Sequence, residues 1–582
     1  MKRDPLPALL SGLFLLLGGF VMGHHELWRD EVQAWLLARD SASVLELMAN
    51  MKYEGHPILW HLLLMPLTRA FATPVAMQVL HLLLATATVY LFVRWSPFSR
   101  LQKVLFCFGY FPFYEYAVIS RNYGLCLLLL TAFGCLYPHR RRYFPLLAGI
   151  LALLCHAHVL GTILATALLG ALVVDRFQPA DADSPPPAAK LPFYAGCALV
   201  TFGIVTALQQ ALPPAYPAAA VAAVVRGRTP AIYVKVLLAV RALVGGYVPV
   251  AGNWNTQWMF GDRPAALKLL FYVGGPLYLL FAAGALRRHR PALLFLTLGT
   301  ATLLAFFHLK YSGFARHHGL LFLCLVFAVW MQRADHGPTA RGPSAPAEDR
   351  WHRAFSLSLT ALFGVHTLSA VTAAAMELRR PFSQAATATD YLHRHGHDES
   401  LLVGHNDYTA SSLLGSAVQR EIYYPQSRRW GSYVIWNRAR SAKVTDAELV
   451  AAARALPRKE GQRVLLVLDR PLDTGDGLPA GVALLEAFTG SVTGENFHLY
   501  QIDKAQNLRP EFGRQAMDRG HAEASRNRAR HEYAPSPPQG SEQRAGAGEG
   551  DHSERPDGRR LPGPAVAEST AVQAGIGHRE GG

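Results

Sequence analysis

The strongest constraint on this chain is a train of long apolar runs, separated by short polar breaks, that fills roughly its first 375 residues. A run of about 18 residues or more matches a hydrocarbon core about 30 Å thick. Backbone polar groups inside lipid need partners within the protein, so such runs read as helices. Charged residues make up only 17% of the chain and are unevenly spread, in keeping with that reading. The formal charge of +15 lies largely in short loops between the runs. Such placement reads as membrane topology, and no nucleic-acid partner is expected.

Charge orients the runs. Lys2 and Arg3 precede a first run at 6–22, and no clear small-x-small cleavage site follows, so it reads as an uncleaved signal anchor. Residues 57–71 are apolar but short, bounded by Pro57 and Pro74, and read as an interfacial helix. With that choice, runs at about 74–93, 104–119, 123–137, a hairpin at 143–174, 191–212, 265–286, 291–307, 319–331 and 354–375 bring the total to about eleven spans. The clusters His139-Arg140-Arg141-Arg142 and Arg287-Arg288-His289-Arg290 then share the cytoplasmic side. A Pro-rich linker at 175–190 and a loop at 333–353 fall on that side too, and part of the outer segment, 232–250, reads as interfacial. The six cysteines lie in or beside apolar runs and read as small packing residues without disulfides.

The composition changes at about residue 382. Apolar runs shorten to strand length at 401–404, 421–424, 464–468 and 497–502, with a helix at 446–456 after Thr445. Residues 382–503 therefore read as a small extracytoplasmic α/β domain. Residues 504–582 are rich in Gly, Pro, Arg, Glu and Ser and read as a disordered tail.

This topology gathers unusual polar residues on the outer side: Asp30 and Glu31, Glu54 and His56, Glu115, Arg121 and Tyr123, His156 and His158, then Lys310, Arg316, His317 and His318. Ionisable groups at span ends are costly unless they pair or line a wet cavity. Their convergence points to one site. Asp30-Glu31 suits a base, a divalent-cation ligand or an acceptor for sugar hydroxyls, or else a solvated helix face. His56 either contacts a substrate or caps the turn before Pro57. Arg121 suits a phosphate through its fixed donor fork, or snorkels to headgroups. His156 and His158 favour hydrogen bonding over metal, because positions i and i+2 of a helix diverge. Lys310 and Arg316 offer a second phosphate clamp or an ordinary polar loop.

In order and spacing, Asp30-Glu31, Gly55-His56-Pro57, Arg121-Asn122-Tyr123 and His156-Ala157-His158 resemble the GT-C superfamily of polyprenyl-phosphate-sugar glycosyltransferases. The nearest likeness is to glycosyltransferase family 39, with the protein O-mannosyltransferases and aminoarabinose transferases. It covers roughly residues 5–330. Two departures stand out: Ile58 follows Pro57 where the family often has a second proline, and Arg316-His317-His318 matches the late Arg motif only loosely. The resemblance implies a GT-C-like membrane domain that moves a sugar from a polyprenyl-phosphate donor to a lipid, glycan or protein acceptor, with inversion. It implies Asp30 as catalytic base, Arg121 with Lys310 or Arg316 on the leaving phosphate, and Tyr123 and His158 orienting donor groups. Glu31 and His56 would contact substrate, with Asp30 or Glu31 as ligand if a divalent cation is used.

Two other readings fit a chain of this kind. A lipid or polysaccharide transporter or flippase predicts mid-membrane polar residues and paired repeats, and neither stands out. A noncatalytic membrane scaffold predicts that Asp30 and Arg121 are dispensable and that residues 382–503 carry the function. An Ala- and Arg-rich composition without a eukaryotic sorting signal points to a bacterial inner membrane, with the site and C-terminal domain periplasmic.

Overall fold

The computed structural model describes residues 4–178, 189–212, 232–249, 251–253, 256–257, 264–335, 346–417, 419–437, 444–473 and 477–504. The core of the Pro-rich linker, most of the outer segment before residue 264, part of the 333–353 loop and the tail expected to be disordered lie outside the described residues.

Helix α1 spans Leu6–Met22, α2 Arg29–Asp40, α3 Leu59–Ala70 and α4 Val75–Trp95. Then come α5 (Arg100–Cys107), a π-helical segment (Tyr110–Val118), α6 (Asn122–Leu136), α7 (Phe144–Ala157), α8 (Val159–Arg176), α9 (Lys190–Ala211) and α10 (Ile232–Tyr247). Helices α11 (Ala265–Leu286), α12 (Arg290–Leu309), α13 (Ala315–Asp335) and α14 (Pro346–Glu377) complete the bundle. Six described helices are long and apolar enough to cross a membrane: α4, α8, α9, α11, α12 and the Arg350–Glu377 part of α14. Leucines on α1, α9, α11 and α14 point outward, among them Leu16, Leu191, Leu280 and Leu357. An apolar exterior of this extent marks a surface that meets something other than water.

One expected span takes a different form. The run at 104–119 is broken: α5 stops at Cys107, and the backbone restarts at Tyr110 as π-helix. The break falls at Gly109, where a Cβ would lie 3.1 Å from carbonyl oxygens of Leu105 and Phe106 and from Cβ of His366. π-helical turns of this kind concentrate at functional sites. Helix α3 has 12 residues, about 18 Å of helix at 1.5 Å per residue, in keeping with an interfacial placement.

The helix ends sort into two groups. At one end of the bundle, Arg140 after α6 pairs with Asp175 of α8 at 2.8 Å and Asp335 of α13 at 2.7 Å. His289, before α12, reaches Asp335 at 2.8 Å. Arg333 of α13 donates to Gln102 of α5 at 2.8 Å, and Gln102 donates to Thr360 of α14 at 2.9 Å. The two basic clusters thus lie at one end, as charge placement predicts. Arg140 reaches two carboxylates, so Arg140→Ala takes the guanidinium from Asp175 and from Asp335, which keeps His289. We expect a loss of about 3 kcal/mol, the scale of a broken buried ion pair, read as a lower midpoint of thermal unfolding in detergent.

Residues 382–502 build a six-stranded sheet: β1 Leu401–Gly404, β2 Ile422–Tyr424, β3 Arg429–Gly431, β4 Val464–Leu468, β5 Val482–Phe488 and β6 Phe497–Ile502. Its order is β3-β2-β1-β4-β6-β5, with β1 parallel to β2 and β4 and the remaining pairs antiparallel. β3 and β5 were not foreseen. β3 is three residues long and edge-placed, and β5 is largely exposed, so neither carries a buried apolar run. Helix α15 is Ala385–Arg394, and α16 is Asp446–Ala455, capped reciprocally by Thr445 and Glu448. Side-chain alternation splits the sheet: Val464, Leu466 and Leu468 pack on Leu449 and Val450 of α16. Leu402, Leu465 and Val467 face the other way and share a core with Val32, Trp35 and Leu36 of α2, Trp60 and Leu64 of α3 and Met77 of α4. The sheet body is therefore bolted to the amphipathic helix after the first apolar run.

Candidate active site

Helix α2 positions the site because its two faces do different jobs. Val32, Trp35 and Leu36 bury against the sheet body, while Asp30 and Glu31 in the first turn face the bundle. Glu31 is fully buried and accepts from the backbone N–H of Trp28 at 3.3 Å and of Ser120 at 2.6 Å, and lies 2.9 Å from His25 Nε2. It caps the first turn of α2 through the Trp28 N–H and ties α2 to the turn before α6. His25 Nδ1 lies 2.9 Å from Glu377 Oε1 at the end of α14, and Tyr114 of the π segment donates to Glu377 at 2.6 Å. Burial alone would lower the His25 pKa, but the two carboxylates raise it to about 10.

Asp30, held rigid beside this brace, accepts from Arg121 Nη1 at 2.5 Å. Arg316 Nη2, from the first turn of α13, lies 3.5 Å from the same Asp30 oxygen. Both guanidiniums stand over the Trp28 ring, at 5.8 and 5.4 Å from its centroid. The turn bearing Arg121 is pinned by His81 of α4, whose ring nitrogens lie 3.0 and 2.8 Å from the carbonyl oxygens of Ala117 and Arg121. Tyr116 of the π segment donates to the Arg316 carbonyl at 2.7 Å. The π segment thus carries the brace, the Arg121 turn and an anchor for Arg316.

Beneath the ion cluster lies a ring stack. Tyr123 is 4.6 Å from His158 and His56 is 4.8 Å from His158, centroid to centroid; His317 stands edge-on to Tyr123 at 5.6 Å. His158 breaks the α7–α8 hairpin with an extended backbone, and its Nδ1 caps α8 by accepting from Leu160 N–H at 2.9 Å. Its Nε2, the Tyr123 hydroxyl and His56 Nδ1 are buried without a hydrogen-bond partner among the described residues. Three unsatisfied polar atoms on neighbouring rings call for a polar partner, water or ligand. Burial, with repulsion from Arg121 and Arg316, lowers the His56 pKa to about 4, so the ring is neutral at pH 7.

Glu54 is anchored by Gln33, which donates to it at 2.8 Å and also to the Val434 carbonyl at 2.9 Å. Burial, reinforced by the Asp30 charge against the opposing Gln33 bond, raises its pKa to about 7. A carboxyl with a raised folded pKa costs stability once pH climbs above its ordinary 4.5, fully so above about 7. Glu54→Gln removes that cost. We expect it to raise the thermal midpoint at pH 8 and leave it nearly unchanged at pH 4.5, read by parallel melts at the two values.

The structure thus brings together Asp30, Arg121, Arg316, Tyr123, His56 and His158 from the expected set. It places three expected contributors elsewhere. Glu31 is consumed by the brace, so it does not present a free carboxylate to substrate. Lys310 is exposed at the end of α12, and no described contact joins it to Asp30. His156 lies 3.1 Å from Thr206 of α9 through its Nε2, away from His158's ring face. Glu115, also gathered on the outer side, is buried and accepts from Tyr110 at 3.0 Å. Trp28, His81, His25 and Glu377 were missed. Only Glu377, an acid closing the last apolar run, left a signal a reader could follow.

A divalent cation does not fit here. Asp30 is flanked by two guanidiniums, and both Glu31 oxygens already serve donors. Among the described residues no three His, Cys, Asp or Glu side chains are grouped to hold a metal ion. Compared with protein-family models, curated proteins and solved structures, the chain matches none.

Proposed function

We propose that this chain is a multi-pass membrane glycosyltransferase that moves a sugar from a polyprenyl-phosphate donor to an extracytoplasmic hydroxyl, with inversion. The observation that carries it is the Asp30 carboxylate set between Arg121 and Arg316, above the unsatisfied His158, Tyr123 and His56 atoms. Two fixed guanidinium forks suit a phosphate, and a carboxylate within reach of that phosphate suits an acceptor proton.

The chemistry balances in one displacement. The acceptor O–H gives its proton to Asp30 as its oxygen bonds to the anomeric carbon from the face opposite the phosphate. The C–O bond to phosphate breaks, and its electron pair stays on the phosphate oxygen. Arg121 and Arg316 stabilise that charge, which grows only as the bond breaks. In the resting arrangement the two arginines hold Asp30; a bound phosphate competes for them and frees the carboxylate to act as base.

The architecture supports the same reading. If α1, α4, the α5–π unit, α6 to α9 and α11 to α14 each cross once, there are eleven crossings, with α2, α3 and α10 interfacial. The Arg140 cluster then lies at the cytoplasmic ends and the Asp30 cluster at the opposite ends. Between α7 and α9 an apolar cavity of about 480 Å³ opens sideways, lined by Leu146, Gly149, Leu153, Phe202 and Gly203 and reaching His156. It offers an apolar bed for part of an isoprenoid chain between α7 and α9. A bacterial inner membrane with the site periplasmic is the setting we propose.

The clamp is tested by binding. Reconstituted in nanodiscs with and without polyprenyl phosphate, wild type should retain the lipid through mild detergent extraction in native mass spectra. Arg121→Ala should lose at least about tenfold in affinity, as expected for a charge-assisted bond. Equal retention by the two proteins would remove Arg121 from the phosphate clamp.

A further inference from the structure

The sheet body carries a second cluster of buried polar groups. Strands β1 and β4 are adjacent and parallel, yet the chain leaves β1 toward β2 on one side and leaves β4 toward the β6-β5 edge on the other. In open sheets with helices on their faces, ligands bind outside the carboxyl ends of the strands at such a switch point. The residues there are His405, Asn406 and Tyr408 after β1 and Asp469 after β4, with His498 opening β6 directly opposite Leu468.

Their local structure is unusual for a plain loop. Asn406 holds a left-handed backbone, φ 54°, which only a few per cent of non-glycine residues adopt, and its side-chain amide donates to Asp469. His405 Nδ1, His498 Nδ1 and Asp469 Oδ1 are buried atoms with no hydrogen-bond partner among the described residues. His498 as a residue is more than nine-tenths buried. Backbone strain together with unsatisfied donors and acceptors is what a preformed polar site looks like. Beside it, Tyr408 and Trp436 stack at 6.0 Å with 25° between their planes, and Arg29 lies over the Tyr408 ring at 5.0 Å. Arg29 is the immediate neighbour of Asp30 in the chain.

We propose that the carboxyl ends of β1 and β4 bind a saccharide, with Asp469, Asn406, His405 and His498 meeting its hydroxyls and the half-buried Trp436 ring meeting its C–H face. A hydroxyl both donates and accepts, and so do neutral imidazole rings and the amide–carboxylate pair. An aromatic ring covers the apolar face that a pyranose presents. The proposal stands apart from the transfer reading, since a saccharide can dock here whether or not the Asp30 site transfers one.

The test uses the full chain in nanodiscs and saturation-transfer NMR with uncharged methyl glycosides, taken to about tens of millimolar, above the millimolar range of weak single-site binding. Inorganic phosphate and lysine methyl ester serve as the charged alternatives. Wild type and Asp30→Asn should bind at least one glycoside alike. Asp469→Asn should weaken it about tenfold or more, the scale of losing a hydrogen bond to a charged acceptor, and Trp436→Ala about several-fold or more through the lost ring contact, while unchanged melting curves show the sheet body intact. Three results would overturn the proposal: no glycoside bound by wild type, binding lost in Asp30→Asn and kept in both sheet-body variants, or preference for phosphate or the amine. A site that fails while the Arg121 lipid clamp holds leaves the transfer reading untouched.

Discussion

Asp30→Asn should lower sugar transfer by about 10²–10⁴-fold, the usual contribution of a positioned general base. The amide keeps the shape of the side chain and can still accept a bond from Arg121, but it cannot take the acceptor proton. It also removes the negative charge between two buried guanidiniums, which alone can cost about 3–5 kcal/mol. The loss in rate must therefore be measured per folded molecule, by turnover normalised to monodisperse protein. Adding a polyprenyl phosphate should restore part of the lost stability, because the phosphate supplies the charge that the amide lacks. A rate within a few-fold of wild type would show that Asp30 is an ion-pair partner and not a base.

His25→Ala should be among the single changes most damaging to stability. His25 bridges Glu31 and Glu377 at 2.9 Å each, in a site with no exposed side-chain surface. Removing it leaves two buried carboxylates facing each other across a void, at a cost of about 3–5 kcal/mol. The pH dependence follows from the pKa of about 10 against the ordinary 6.5. Stability from His25 is complete below about pH 6.5, declines as pH rises, and is gone above about pH 10. Wild type should therefore lose thermal midpoint between pH 7 and 10 more steeply than His25→Gln, which cannot titrate. Parallel slopes for the two proteins would mean that His25 is not held as a cation.

Apolar run length carried much of the fold. The helices at 265–286 and 291–307 emerge within three residues of their expected bounds, and four of the six strands appear where short apolar runs lie. Charge placement carried more, because the basic clusters at Arg140 and His289 do meet at one end of the bundle. The break was legible in part: Gly109 and Pro112, which has no N–H for the preceding turn, interrupt an α-helix even though Phe and Tyr continue the apolar run across them. Residue type and spacing name Asp30, Arg121, Tyr123, His56, His158 and Arg316, which the structure brings together. They could not separate Asp30 from Glu31, because two adjacent carboxylates look alike until the helix turns one toward Arg121 and the other toward His25. Trp28 escaped for a similar reason, since one aromatic residue among many apolar ones gives no hint that two arginines will stand over it.

The most direct test of the transferase reading compares four cell lines: one lacking the chain, and the same line carrying wild type, Asp30→Asn or Arg121→Ala at equal membrane levels. Lipids, glycans and glycoproteins from each are extracted and read by mass spectrometry. One sugar-bearing species should be present with wild type and absent from the other three, with its unglycosylated acceptor accumulating in its place. Full restoration of every species by both variants would contradict that reading, and would leave the Asp30–Arg121 pair a structural tie in a membrane scaffold.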